Sequence, residues 1–126
     1  MASRAPRAPR APRAPRAYVP ELGDVVWLEF NPQAGHEQAD HRPALVLSPA
    51  PYNAKTGLVV CCPLSTKIKG YPFEVPVEVD GKDCVVLSDQ VKSLDWKVCR
   101  ATKKGAVAES VLLGVRGRIK ALLAIK

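Results

Sequence analysis

Apolar and polar positions change their rhythm twice along this chain. Asp24 to Phe30 (DVVWLEF) is rich in β-formers and follows Pro20 and Gly23, so it predicts a first strand. Asn31 to His41 (NPQAGHEQADH) is polar and holds Pro32 and Gly35, which predicts a loop. Arg42 to Ser48 and Leu58 to Pro63 predict two more strands, separated by a connection rich in Pro, Asn and Gly. Phe73 to Val79 alternates, and Pro76 places it at an edge because proline has no N–H for a ladder. Asp80-Gly81 breaks that run, and Cys84 to Leu87 predicts another short strand. The period then lengthens. Leu112, Val115, Ile119, Leu122 and Leu123 fall at helical spacing and predict a C-terminal amphipathic helix, weakened by Gly114 and Gly117. Between strands and helix, Asp89 to Trp96 predicts a helical turn and Ala106 to Ala108 a last short strand. Many short strands and one terminal helix make a mainly β fold, a small and strongly bent antiparallel barrel.

The first residues have no such pattern. Arg-Ala-Pro recurs every three residues over residues 4–17, and proline at that period blocks both helix and sheet. Residues 1–17 are therefore read as a disordered extension and residues 18–126 as one domain. Charge changes the picture next. The chain has 19 basic and 12 acidic residues, a net +7, but Arg4, Arg7, Arg10, Arg13 and Arg16 all lie in the extension. Without them 14 basic residues face 12 acids, so the body is close to balance. Any polyanion site in the body must be a local patch. An extended arginine arm would add phosphate contacts of its own.

The cysteines do not form a disulfide framework or a zinc pattern. Cys61 and Cys62 are adjacent in an apolar run, Cys84 and Cys99 stand apart, and there is no CxxC. Buried thiols in a reducing cytoplasm are the expectation, with no metal and no cofactor. No apolar run reaches the roughly 18–20 residues that span a bilayer, and no secretory core is visible, so no membrane partner is expected.

Polar residues gather at three strand ends: His36 to Arg42, Ser65 to Lys69, and Ser88 to Lys92. Arg42 offers a planar, permanently charged fork for phosphate oxygens. Ser65 and Thr66 offer hydroxyls, and Glu37, His36, His41 and Asp89 can carry protons. Each has a plainer reading too: a surface arginine, a strand end, solvated loop histidines, a cap at Asp89. Trp27 is read as core, and Trp96 as core or interface. The residues by themselves describe a mostly β domain with an anion site.

Six stretches carry more: YVPELGDVVWLEFNP (18–32), GHEQADHRPALVLSP (35–49), YNAKTG (52–57), KGYPFEV (69–75), LSDQVKSLDW (87–96) and ATKKG (101–105). In this order and spacing they resemble the MazF/Kid/PemK toxin family, its MazF-type members most of all, across roughly residues 18–123. The resemblance implies an SH3-like barrel of the CcdB/MazF type with a C-terminal helix, and a homodimer. It implies the toxin of a type II toxin–antitoxin system: a metal- and ribosome-independent endoribonuclease that cuts single-stranded mRNA at a short motif. Its products would carry 2′,3′-cyclic phosphate and 5′-hydroxyl ends. A cognate MazE-like antitoxin would block the groove with an acidic, flexible segment whose carboxylates mimic phosphates.

The family's catalytic arginine matches Arg42, and its catalytic threonine falls on Ser65, a departure that keeps the hydroxyl and loses the methyl. Thr66, next along, is the other candidate for that hydroxyl. Glu37 matches the family's loop glutamate. His36 and Asp89 match two members of the Kid-type constellation, whose arginine falls on Leu87. Arginine is a poor base in proteins, so Arg42 is given phosphate binding and transition-state stabilisation. The base stays open between Glu37, His36 and an activated water. Asn31, His41, Asn53, Lys69 and Gln90 are expected RNA contacts on family grounds. Two other readings remain beside this one: a CcdB-like gyrase poison on the same fold, and a catalytically inactive RNA-binding module.

Overall fold

A computed structural model describes residues 18–29 and 41–126. Among the described residues, seven strands and two helices follow in the order β1 (Asp24–Glu29), β2 (His41–Val46), α1 (Ala50–Thr56), β3 (Leu58–Ser65), β4 (Glu74–Val79), β5 (Lys82–Leu87), β6 (Lys92–Asp95), β7 (Thr102–Ala106) and α2 (Glu109–Leu122). The strands form one antiparallel sheet in the order β4-β5-β3-β2-β1-β7, with β6 also paired to β3. One edge of β3 is shared: Leu58–Cys61 pair with β6, while Leu64 and Ser65 pair with β5. That division lets the sheet curl into a half-barrel.

Strands β1 to β3 read as continuous apolar runs because both of their faces are covered. Val25, Leu45 and Cys62 face one core with Leu64, Val75, Cys84, Val86 and Val115 of α2. Their neighbours Val26, Ala44, Val46 and Cys61 face a second core with Val59, Trp96 and Cys99. The two-residue period of a strand thus sends adjacent Cys61 and Cys62 to opposite sides. Helix α2 closes the first core through Val111, Leu112 and Ile119. Among the described residues, no helix is long and apolar enough to cross a membrane.

Three local expectations are corrected. The connection after β2 is helix α1, entered through Pro51 in its first turn and ended by Gly57 at φ 77°. Proline near the start and a left-handed glycine after the end are ordinary helix punctuation. Residues 92–95 form strand β6 and not a helical turn, because their register along β3 completes that strand's edge. The last strand is Thr102–Ala106, which starts and ends before the expected Ala106–Ala108, since its pairing with β1 sets its position.

Candidate functional site

The antiparallel register brings the start of β2 to the end of β3. Ala44 pairs with Pro63, and Arg42 and Ser65 each lie two residues beyond that pair, where the two strands end. Both side chains line a groove of about 780 Å³ whose other walls include Trp27, His41, Thr66, Leu87 and Gln90. Among the described residues, its cations are Arg42, Lys67, Lys82, Lys92 and Lys104, and its one acid is Asp80. The near-neutral body therefore concentrates positive charge where the two strand ends meet. A cleft of this sign focuses anions.

Within the groove, Arg42 is exposed and Ser65 is half-buried. Among the described residues, no carboxylate forms an ion pair with Arg42. The N–H of Lys67 donates to Ser65 Oγ at 3.0 Å, which fixes that oxygen and leaves its proton for a partner in the groove. The next turn is held by Glu74. Its buried carboxylate accepts the N–H groups of Lys69 (3.1 Å) and Gly70 (2.8 Å), and Gly70 takes φ 81°. From α2, Arg118 Nε donates to the Pro72 carbonyl at 2.9 Å, a second tie on the segment between β3 and β4.

The expected site residues divide. Arg42, Ser65, Thr66, His41 and Gln90 are brought together in the groove. Asn31, His36 and Glu37 lie outside the described residues. Lys69 is exposed beyond the groove wall, where Lys67 takes its place. Asp89 also lies outside the wall and accepts a hydrogen bond from the Tyr71 hydroxyl, which pushes the Tyr71 pKa up. Asn53 is fully buried: its amide donates to the carbonyls of Pro20 (2.8 Å) and Ser48 (2.9 Å), and its oxygen accepts from Ser48 Oγ (2.6 Å). It joins α1 to the sheet and has no face toward the groove.

Trp27 and Lys104 are among the groove residues that carried no chemical expectation. Trp27, read as core, lines the groove with the His41 ring tilted against it, centroids 5.3 Å apart, and Lys104 places its ammonium 4.5 Å from the Trp27 ring centroid. Strand alternation gave no signal for Trp27: it puts the residue on the face of Val25, which packs in the first core. Among the described residues, no three His, Cys, Asp or Glu side chains gather as a metal-ligand set.

A curled antiparallel half-barrel with a terminal helix and a cationic groove at two strand ends defines the class. Residues 21–123 match the model of the PemK-like, MazF-like toxins of type II toxin–antitoxin systems, and the chain belongs to that family. It is 51% identical to the endoribonuclease toxin MazF of Escherichia coli K12 over 106 residues, which cover 84% of this chain and 96% of that one. Among solved structures, MazF of Deinococcus radiodurans (Form-I) superposes with TM-score 0.77 at 51% identity, covering 86% of this chain and all of that one. MazE-MazF of the same organism (Form-II) gives TM-score 0.77 at 44% identity, covering 87% and 100%.

Proposed function

We propose that this chain is an endoribonuclease toxin that cuts single-stranded RNA, without metal, at the groove holding Arg42 and Ser65. The juxtaposition of those two residues in a cationic groove carries the reading. In the reaction, the 2′-oxygen of a nucleotide attacks its own 3′-phosphorus and the bond to the 5′-oxygen breaks. A 2′,3′-cyclic phosphate and a 5′-hydroxyl result. The guanidinium of Arg42 holds two phosphate oxygens and stabilises charge as the phosphorane forms. The Ser65 hydroxyl, its oxygen fixed by Lys67 N–H, donates to the same phosphate or to the leaving oxygen, with Thr66 beside it as the alternative donor. Glu37, His36 or a water takes the 2′-proton, and one of these or Arg42 protonates the leaving oxygen.

The partners follow from the same surfaces. A MazE-like antitoxin binds the groove through an acidic extended segment whose carboxylates occupy the phosphate positions. Exposed Leu113, Leu122, Leu123 and Ile125 near the C-terminus give a second copy an apolar surface to cover, which supports a homodimer. The toxin acts in the cytoplasm, where mRNA is its substrate.

Arg42→Ala tests the site. In EDTA, the purified variant stays folded while cleavage of a long RNA, read from its 5′-hydroxyl ends, falls at least a hundredfold. Retention of full cleavage rejects the assignment. Uncut RNA with the unaltered protein, together with trapped gyrase–DNA complexes, would replace it with the gyrase-poison reading. Binding to RNA without cutting it would mark an inactive RNA-binding module.

A further inference from the structure

The sequence places a bulge where the groove needs a particular side chain. In the β1–β7 ladder Val25 pairs with Gly105 and Val26 with Lys103, so Lys104 is the extra residue of a β-bulge. A bulge redirects the side chain it carries. Here it turns Lys104 over the ring of Trp27, 4.5 Å from its centroid, while Lys103 on the regular ladder meets Asp24 at 3.6 Å. Lys104 also forms an ion pair with Asp80. Asp80 (φ 54°) and Gly81 (φ 76°) are the tight turn joining β4 to β5, and that turn brings the acid to the groove. The His41 ring packs against the same indole, tilted by 35° with centroids 5.3 Å apart. In the β1–β2 register Trp27 pairs with Pro43, the residue directly after Arg42.

We propose that Trp27 is a nucleobase-stacking subsite, covered in the RNA-free protein by the Lys104–Asp80 pair. This rests on reading the groove as an RNA site and adds where one base sits. A nucleotide offers what the two covering residues offer. Its base replaces the ammonium on the indole face, and its phosphate replaces the Asp80 carboxylate as the ammonium's partner. Asp80 is 65% exposed at its side chain and Lys104 only 15%, so the acid is the loosely held half of the pair. The largely buried ammonium keeps an anionic partner through this exchange, since phosphate takes the place of the carboxylate. Stacking on an aromatic ring tolerates any base, so the subsite contributes affinity and leaves sequence choice to other contacts.

The probes are a long single-stranded RNA of mixed sequence with 2′-fluoro sugars, which cannot be cut, and inorganic tripolyphosphate. The RNA is expected to quench tryptophan emission of the unaltered protein, and tripolyphosphate to leave it unchanged. Trp27→Phe should abolish the quench, because Trp96 is buried and its Nε1–H is bonded to the Asn53 carbonyl. Trp27→Leu should weaken RNA binding roughly tenfold or more and leave tripolyphosphate binding as it was. Asp80→Asn should tighten both ligands several-fold. Undiminished RNA binding by folded Trp27→Leu overturns the subsite, as does RNA that binds the unaltered protein without disturbing its emission. If Trp27→Leu does not fold, the quench in the unaltered protein and its loss in Trp27→Phe still decide. RNA neither bound nor cut by the unaltered protein refutes the RNA reading itself, a different result from any of these.

Discussion

Cys61-Cys62 and Ser65-Thr66 lie three residues apart on or just beyond one strand, and the fold treats them in opposite ways. The thiols are sealed between the two cores, one on each face of β3. Burial pushes both thiols from the ordinary value near 9 up to about 12. Neighbouring charge adds to the shift, from Cys62 at Cys61 and from Asp89 at Cys62. The hydroxyls stand where β3 leaves the sheet and the cationic groove opens. A thiolate is the stronger nucleophile, but a buried thiol supplies none at neutral pH. Reactivity along β3 is therefore decided by position and not by the intrinsic chemistry of the side chain.

Placing the same charge at both positions tests that contrast most severely. Cys61→Asp puts an unpaired carboxylate in the second core, a cost of several kcal/mol against a total stability of roughly 5–15 kcal/mol for a small domain. Circular dichroism should show no folded protein. Ser65→Asp, at the half-buried strand end, should give a folded spectrum and no RNA cleavage, because its carboxylate repels phosphate. Two variants that fold equally well would end the comparison. Next in size, Ser65→Ala should lower kcat roughly a hundredfold, as loss of a transition-state donor does. Thr66→Ala should cost less than about tenfold on the same scale, and Ser65→Thr should keep most activity. A larger loss at Thr66 would move the catalytic hydroxyl one residue along.

How much of this was legible beforehand follows the same division between sealed and open regions. Runs such as Val25–Leu28 and Cys84–Leu87, and the helical spacing of Val115 and Ile119, expose the core because burial demands a period. Helix α1 is only seven residues long, too short for periodicity to show, and its proline and glycine read equally well as loop. Strand β6 is four residues whose state is set by the open edge of β3, a partner more than thirty positions away. At the candidate site, Arg42 and Ser65 were expected from the family resemblance, whereas their sharing of one groove depends on the β2–β3 register. Asn53 shows the converse: it was expected as a contact on family grounds, and only the packing of α1 shows its hydrogen bonds directed inward. Lys104 depends on a bulge, which no local pattern announces.

Glu74 links the two regions, being a buried acid that shapes the exposed turn after Ser65. Glu74→Gln keeps one acceptor but gives up the charge-assisted bonds to Lys69 and Gly70. A loss of about 2 kcal/mol is expected for such bonds, measurable by urea unfolding, with quicker proteolysis between β3 and β4. If the turn mattered only to stability, kcat at a temperature where the variant is fully folded would not change. A several-fold fall in kcat is expected, since the turn follows directly from the Lys67 N–H that fixes Ser65 Oγ.

The smallest effect tests the sealed half through pH. Cys61 and Cys62 titrate near 12 in the folded chain and near 9 when unfolded, so between those values the unfolded state has lost protons the native state keeps. By linkage, stability then falls as pH rises. The contribution is complete below about 9 and is lost as pH climbs through about 12. Tyr18, raised by burial and its hydrogen bond to Asp24, acts in the same direction above its ordinary value of 10. Urea midpoints should therefore decline steadily across the alkaline range, and Cys62→Ala should flatten that decline. All four cysteines are free and buried, so a thiol reagent at pH 8 should label the native protein only as fast as it opens. Rapid labelling of native Cys61 or Cys62 would mean that the thiols share the openness of Ser65, and the contrast along β3 would disappear.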